Sequence, residues 1–209
     1  NINGNMDKSF DLLYANITSF SDRIKSRLFS EDTRNSFSGF CFVETKIKPK
    51  DVPNINALFR DHNLHIANNP GVCSCEAEEG VHGGELIGFN NNLNFKSIDK
   101  RILGRIEAET GSHVRFAAGI VRVKTFSYLL ISPYLKCSIG MDGENNVRMK
   151  QISILVGITG LPFLAIGDFN CLSEELMASG WPQYSHASTM KVSDAETTLR
   201  FTPGRLIDY

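Results

Sequence analysis

The stretch Leu164-Ala165-Ile166-Gly167-Asp168-Phe169-Asn170 places a carboxylate and a carboxamide directly after a short apolar run. A short apolar run that ends at a turn residue is typical of a strand buried on both faces of a sheet. Asp168 and Asn170 therefore follow the end of a predicted buried strand. A carboxylate in such a place costs free energy unless it is paired or holds a metal ion, so both residues are candidates for a functional site.

The same arrangement recurs at three other places in the chain. Asn16 ends an apolar segment that begins at Leu12, Glu44 follows the apolar run Phe40–Val43, and Asp208 lies in an apolar run near the C-terminus. Sheet proteins usually assemble their sites from residues at the ends of neighbouring strands. A second interpretation stays open, because Asp and Asn are also common as helix caps and turn residues.

The residue types indicate which chemistry such a site would support. Two or three carboxylates without a Cys or His ligand set suit Mg²⁺ or Mn²⁺ better than zinc. An ion of this kind neutralises the charge of a phosphate group, while a further carboxylate activates a water molecule for attack. The sequence contains no Gly-x-Gly-x-x-Gly or phosphate-loop motif, so a nucleotide-binding fold has no support.

Alternating apolar runs and amphipathic stretches predict a layered α/β domain. The predicted strands are 12–16, 40–43, 64–67, 85–89, 116–123, 127–131 and 164–166, and the predicted helices are 19–28, a segment that begins near Asp51, and 146–159. The polar, glycine-containing segment 68–84 is interpreted as a long surface loop. Because the chain shows no repeat and no low-complexity segment, we take residues 1–209 as one domain.

The composition limits which partners the chain can have. Its formal net charge is −1, so any basic surface that contacts the phosphates of a nucleic acid must be local. No apolar run is long enough to span a membrane. The five cysteines are scattered and odd in number, which indicates a reduced, intracellular setting rather than a disulfide framework and leaves the compartment open.

The strand-end motifs together resemble those of the endonuclease/exonuclease/phosphatase (DNase I-like) superfamily. Ile166-Gly167-Asp168-Phe169-Asn170 is similar to the family's Gly-Asp-Phe-Asn motif, which is the most specific of the set. The other similar segments, in chain order, are Tyr14–Ser19 (a strand ending in Asn), Phe42–Lys46 (a Gln-Glu-Thr-type motif), His82–Leu86 (a Gly-Gly turn before a strand) and Gly204–Tyr209 (an Arg-x-Ile-Asp-Tyr motif). Their order and spacing fit the family over essentially the whole chain.

The resemblance implies a four-layer α/β sandwich, in which two packed, mostly antiparallel sheets are flanked by helices. It implies that Glu44 is the metal ligand and that the metal is Mg²⁺ or Mn²⁺. Asp168 would position or deprotonate the attacking water, and Asn170 would contact the phosphate or fix Asp168. Asn16 would support the metal–phosphate cluster, and Tyr134 would match a phosphate-contacting Tyr or His.

Asp208 introduces a departure from the family pattern. The family residue that it matches orients a histidine in a later Ser-Asp-His motif, and none of the five histidines of this chain lies in such a motif. We therefore expect a C-terminally truncated domain that lacks its last strands and leaves a sheet edge exposed. We also expect residues 1–209 to be a poor catalyst or no catalyst.

The function that the resemblance favours is Mg²⁺-dependent hydrolysis of a phosphodiester, with nucleic acid as the substrate. Hydrolysis of inositol phosphates or phospholipids is an alternative, because the superfamily includes such enzymes. A degenerate, non-catalytic binding domain of the same fold is another. The retention of Glu44, Asp168 and Asp208 argues against a degenerate domain, because carboxylates that lie close together without a cation repel one another.

Overall fold

Two four-stranded sheets pack face to face in the computed structural model, which describes residues 11–73 and 80–188. The strands are β1 (Leu12–Asn16), β2 (Gly39–Val43), β3 (Leu64–Asn69), β4 (Val72–Cys73), β5 (Val81–His82), β6 (Glu85–Asn90), β7 (Asn94–Ser97), β8 (Phe116–Val123), β9 (Phe126–Pro133) and β10 (Phe163–Ala165). The helices are α1 (Asp22–Leu28), α2 (Glu31–Ser36), α3 (Val52–Asp61), α4 (Lys100–Thr110), α5 (Gly143–Thr159), α6 (Ser173–Ala178) and α7 (Trp181–Tyr184), with a 3₁₀ turn at Pro49–Asp51.

Both sheets are mixed, with one parallel pair at an edge and antiparallel pairs elsewhere. The first sheet has the order β1-β2-β6-β3, and only β1 and β2 run parallel. The second has the order β10-β9-β8-β7, and only β10 and β9 run parallel. The expectation of two mostly antiparallel sheets is therefore confirmed. The parallel edge strands matter for the site, because β1 ends at Asn16 and Asp168 follows β10.

Helices cover the outer face of each sheet and complete four layers. On the first sheet, the ring of Phe59 from α3 stacks on Phe40 of β2 and on Phe20, the residue that precedes the N-cap of α1. On the second sheet, Ile152 of α5 belongs to a buried cluster that includes Ile131 of β9, and both side chains are fully buried. In the described part of the chain, every helix is too short or too polar to cross a membrane.

The layer between the sheets is apolar through most of its depth. Every second side chain along each strand points into this layer, as the two-residue period of a strand requires. Its buried members are Cys41, Ala67, Ile87, Phe89, Phe95, Ala117, Val121, Tyr128 and Leu130. Cys41 therefore serves as a small apolar residue, as expected from the sequence, and Cys171 is buried likewise in the cluster under α5.

The same layer becomes polar at one end. Along β6 the inward-facing positions run from Phe89 and Ile87 to Glu85, which is only 2% exposed. Glu85 accepts a hydrogen bond of 2.6 Å from the side-chain amide of Asn69, at the end of β3. Ser132 of β9 is also fully buried there. The packing thus concentrates buried polar groups at the end of the sandwich where β1, β3 and β9 finish.

The sequence misplaced several element boundaries. The first helix begins at Asp22 rather than at residue 19, because Ser21 is extended and its hydroxyl caps the backbone amide of Ile24. The segment 68–84 is not simply a loop: β3 continues to Asn69, and β4 pairs with β5. Helix α5 starts at Gly143, three residues before the predicted residue 146. Asp208 lies outside the described residues.

Cross-strand glycines make room for aromatic rings within the first sheet. Gly88 of β6 lies opposite Phe40, and Gly39 of β2 lies opposite Phe89. A Cβ atom at either glycine would overlap the facing ring. These two glycines therefore allow the rings to lie flat on the sheet and fill the layers on either side of it.

We predict that Gly88→Ala lowers the free energy of unfolding by about 1–3 kcal/mol, because the Phe40 ring must move out of its packed position. Urea denaturation monitored by circular dichroism measures this change. Gly104→Ala on α4 is the matched control, because a Cβ there meets no atom within 4 Å. The control should stabilise the protein by up to about 1 kcal/mol, since alanine favours the helix. Equal effects of the two substitutions would contradict the packing argument.

We predict a pH-dependent stability difference for Glu85→Gln. Burial raises the pKa of the Glu85 carboxyl from 4.5 to about 7, although the hydrogen bond from Asn69 and the positive charges of Arg148 and Arg115 lower it. Because the folded state then binds the proton more tightly than the unfolded state, the protonated carboxyl raises the free energy of unfolding of the wild type at low pH. This contribution is lost as the pH rises through about 7.

Glutamine does not titrate in this range. The free energy of unfolding of the variant, relative to that of the wild type, should therefore rise by about 3 kcal/mol between about pH 4 and about pH 8. Denaturant unfolding of both proteins across this range measures the difference. Parallel stability profiles would show that Glu85 does not titrate in this way.

Candidate active site

Five of the residues singled out in the sequence meet at the polar end of the layer between the sheets. The side-chain amide of Asn16, at the end of β1, donates a hydrogen bond of 3.1 Å to Asp168 Oδ2. The hydroxyl of Tyr134 donates a hydrogen bond of 2.5 Å to Glu44 Oε1. Tyr134 and Asp168 are joined by a parallel β-bridge, which places the two pairs side by side. Asn170 completes the group next to Asp168.

Asp168 is held in place from both sheets. Its carboxylate is only 2% exposed and follows β10 in the second sheet. Oδ2 accepts from Asn16 of the first sheet, and Oδ1 accepts from the backbone amide of Asn170 at 3.1 Å. Hydrogen bonds from N–H groups favour the charged form of a carboxylate and fix its orientation. Gly167 permits this placement, because a Cβ there would overlap the carbonyl of Pro133.

Glu44 is presented by a strained backbone. It is half-buried and has a φ of +56°, in the left-handed region that residues other than glycine rarely adopt. The two residues after it are pinned by the predicted Gly-Gly turn, since the amides of Thr45 and Lys46 donate to the carbonyls of Gly84 and Gly83 at 2.9 Å each. This turn therefore holds the end of β2 in the conformation that aims Glu44 into the site.

Gly84 must be glycine for two reasons. Its φ is +94°, and an added Cβ would lie 2.5 Å from Thr45 Oγ1. A residue without a side chain is therefore required at this position, which explains why a Gly-Gly pair precedes β6. The sequence pattern identified the turn, and the structure shows that it braces the Glu44 segment.

Tyr134 is half-buried and neutral. Burial raises the pKa of its hydroxyl, and the neighbouring carboxylates of Glu44 and Asp168 raise it further. A neutral phenol keeps its proton and can donate to Glu44, as the geometry requires.

Asn170 holds the backbone of the site together. Its φ is +47°, and its side-chain amide donates a hydrogen bond of 2.7 Å to the carbonyl of Leu135. Its backbone amide donates to Asp168 Oδ1 at 3.1 Å, so the main chain at Asn170 also helps to fix Asp168.

The donor set of the site fits a hard divalent cation. The side chains that line it offer carboxylate, carboxamide and phenol oxygens. Glu44 Oε2 has no hydrogen-bond partner among the described residues. Within 11–73 and 80–188, no three His, Cys, Asp or Glu side chains form a ready metal cage. Mg²⁺ commonly binds through one or two carboxylates, with waters and substrate phosphates as its other ligands. Glu44 is therefore the residue that would hold such an ion.

The five histidines form no hydrogen bond with the site residues in the described part of the chain. His65, His82, His113 and His186 are exposed, and His62 is half-buried with its ring stacked on Phe29 at a centroid distance of 4.0 Å. Asp208, the remaining predicted site residue, falls outside the described residues.

Sequence reasoning missed three polar residues that border the site. Glu85 is a carboxylate at the start of the buried strand β6, and a search for acidic residues at either end of an apolar run would have identified it. Asn145 and Arg148 lie in the first turns of α5 and bond to the backbone that follows β9. They left no local signal in the sequence, because their partners are carbonyl and amide groups.

Comparison with known proteins shows similarity in fold without close similarity in sequence. No family model matches the chain, and no curated protein matches it by sequence. The endonuclease domain of TRAS1, a telomere-specific non-LTR retrotransposon, superposes with a TM-score of 0.61 and 13% identity, over 95% of this chain and 83% of that one.

Two further solved structures also superpose on this chain at low sequence identity. A β-hairpin deletion mutant of beta toxin from Staphylococcus aureus gives a TM-score of 0.57 with 12% identity, over 97% of this chain and 86% of that one. The human Nocturnin catalytic domain gives 0.53 with 16% identity, over 83% of this chain and 69% of that one. With its two helix-flanked mixed sheets, the chain therefore has the fold of the endonuclease/exonuclease/phosphatase (DNase I-like) superfamily.

Proposed function

We propose that this protein is a phosphodiester hydrolase that uses Mg²⁺ or Mn²⁺ and acts on nucleic acid. The observation that carries the proposal is the buried Asp168 carboxylate. Asn16 and Asn170 orient it from two different strand ends, and the Tyr134–Glu44 pair lies beside it. Burying a carboxylate costs free energy, so a group of acids and amides assembled across two sheets points to a functional rather than a structural role.

Asp168 is suited to act on the attacking water. The two N–H groups that bind its oxygens hold the carboxylate in one orientation. A charged, fixed carboxylate can accept a hydrogen bond from water and take its proton as the water attacks phosphorus. Asn16, which is exposed and at the rim, keeps this carboxylate from turning away.

Glu44 and Tyr134 form the other side of the proposed site. Glu44 would hold the divalent ion, which when bound neutralises phosphate charge and orients the phosphate. The neutral Tyr134 hydroxyl donates to one Glu44 oxygen and leaves the second oxygen for the cation. Tyr134 thus fixes the direction in which Glu44 points.

Nucleic acid is the substrate class that we favour over inositol phosphates or phospholipids. Two features support this choice. The solved structure with the TM-score of 0.61 is named as an endonuclease domain. In this chain, the exposed Lys46 lies two residues after Glu44 and supplies the local positive charge that a near-neutral protein needs to contact phosphates.

We predict that Asp168→Asn lowers the rate of DNA or RNA hydrolysis by about 10²–10⁴-fold, because the amide cannot accept a proton. Single-turnover assays with excess protein in Mg²⁺ or Mn²⁺, on supercoiled plasmid and on single-stranded RNA, measure this rate even if turnover is slow. Asp61→Asn at the exposed end of α3 is the matched control and should leave the rate unchanged.

Three other results would contradict the proposal. Full activity of Asp168→Asn would show that another group activates the water. Hydrolysis of phospholipid or inositol phosphate, without hydrolysis of nucleic acid, would replace the substrate class. No hydrolysis of any phosphodiester, together with no change in melting temperature on adding either ion, would favour a non-catalytic binding domain of this fold.

A further inference from the structure

The segment 134–136, which follows β9, is held by side chains from outside its own strand. Arg148 donates a hydrogen bond from Nη1 to the carbonyl of Tyr134. Asn170 donates to the carbonyl of Leu135 at 2.7 Å. Asn145 accepts from the amide of Lys136 at 2.7 Å and donates to its carbonyl at 2.8 Å. Side chains therefore bind the three carbonyls of this segment and the amide of Lys136, while the amide of Leu135 keeps a backbone hydrogen bond of 2.8 Å to the carbonyl of Asp168.

Asn145 makes three side-chain hydrogen bonds to this part of the chain. It is fully buried in the first turn of α5. Its second amide hydrogen donates to the carbonyl of Gly140 at 2.7 Å, so that one side chain fixes both ends of the turn 136–140. A buried amide with every donor and acceptor satisfied is rigid, and so is the backbone that it binds.

Arg148 lies one turn further along α5, and its two terminal nitrogens make contacts although its buried Nε makes none among the described residues. Its side chain is 13% exposed, and its second terminal nitrogen lies 3.4 Å from Glu144 on the same helix. The buried Glu85 carboxylate of the opposite sheet attracts its charge. The guanidinium thus contacts Glu144 on one side while it bonds to the backbone of Tyr134.

We propose that Asn145 and Arg148 are positioning residues, which fix the backbone at Tyr134 so that its hydroxyl meets Glu44. Neither residue touches the Tyr134–Glu44 hydrogen bond directly, so both act through the main chain. Apolar residues already anchor α5 to its sheet, among them Met149 and Ile152. The two polar side chains are therefore free to serve the segment after β9. The proposal deepens the function proposed above and rests on it for its catalytic consequence.

Fluorine NMR of protein labelled with 3-fluorotyrosine tests the placement of Tyr134 without requiring activity. Tyr134→Phe assigns its resonance. Asn145→Asp puts a carboxylate oxygen where the amide donates to the carbonyls of Lys136 and Gly140. Arg148→Met combined with Glu85→Gln removes the donor to the Tyr134 carbonyl without leaving an uncompensated buried carboxylate.

The controls are matched to each variant. Asn146→Asp makes the same chemical change at the exposed neighbouring position of α5. Glu85→Gln alone keeps the bond from Arg148. We expect both main variants to shift or broaden the Tyr134 resonance and to leave those of Tyr14 and Tyr128 in place. Both controls should leave all three unchanged.

Kinetics provide the second readout. Each main variant should lower kcat by about 10–100-fold, as the displacement of a positioned group does. In a Tyr134→Phe background the same changes should lower kcat by less than about twofold, because residues that act through one group are not additive.

An unshifted Tyr134 resonance in both main variants would overturn the proposal. So would equal shifts at Tyr14, Tyr128 and Tyr134, which indicate a merely structural role. If Asn145→Asp does not fold, the spectrum of the Arg148→Met/Glu85→Gln double variant alone decides whether the proposal holds. If the wild type hydrolyses nothing, the proposed function fails, while the fluorine spectra still decide whether these residues position Tyr134.

Discussion

The hydrogen bond between Asn16 and Asp168 joins the two sheets at the point where their shared apolar layer ends. Asn16 terminates the edge strand of one sheet, and Asp168 follows the edge strand of the other. Bringing a carboxylate to such a buried position is unfavourable unless its oxygens are satisfied. The rest of the site depends on this constraint, because Tyr134 pairs with Asp168 through the backbone and contacts Glu44 through its hydroxyl. The sandwich thus determines where the acids lie, and the acids determine what the site can bind.

Backbone strain at the strand ends aims these side chains. Glu44 and Asn170 both have positive φ, and so do Thr18 and Lys46 beside them. Each such residue costs about 1–3 kcal/mol unless the surroundings compensate. Here the surroundings are specific: the Gly83-Gly84 turn bonds to the two residues after Glu44, and the Leu135 carbonyl binds the side chain of Asn170. The hydrogen bonds around the site therefore stabilise a geometry that an isolated chain would avoid.

The sequence predicted the positions that follow from strand periodicity and missed those that follow from tertiary packing. Asp168, Asn16 and Glu44 stand out because a polar residue follows an apolar run, and their meeting follows from the topology of the two sheets. The single-strand pattern could not show that Asn145 would bind the peptide groups of Lys136, because any loop offers the same groups. It also misjudged 68–84, since the two-residue pairs of β4 and β5 are too short to carry a periodic signal. Helix α4 was missed, although Asp99 caps it and Gly111 ends it in the left-handed conformation.

We propose that this polar end of the sandwich binds a divalent metal ion through Glu44. The most direct measurement is anomalous diffraction from crystals of the protein soaked in Mn²⁺, with crystals of Glu44→Gln treated in the same way. We predict one anomalous peak beside the free Glu44 oxygen, on the side away from the Tyr134 hydroxyl, that is lost in the variant. A peak that persists in Glu44→Gln, or one that lies only at a distant surface acid, would contradict it.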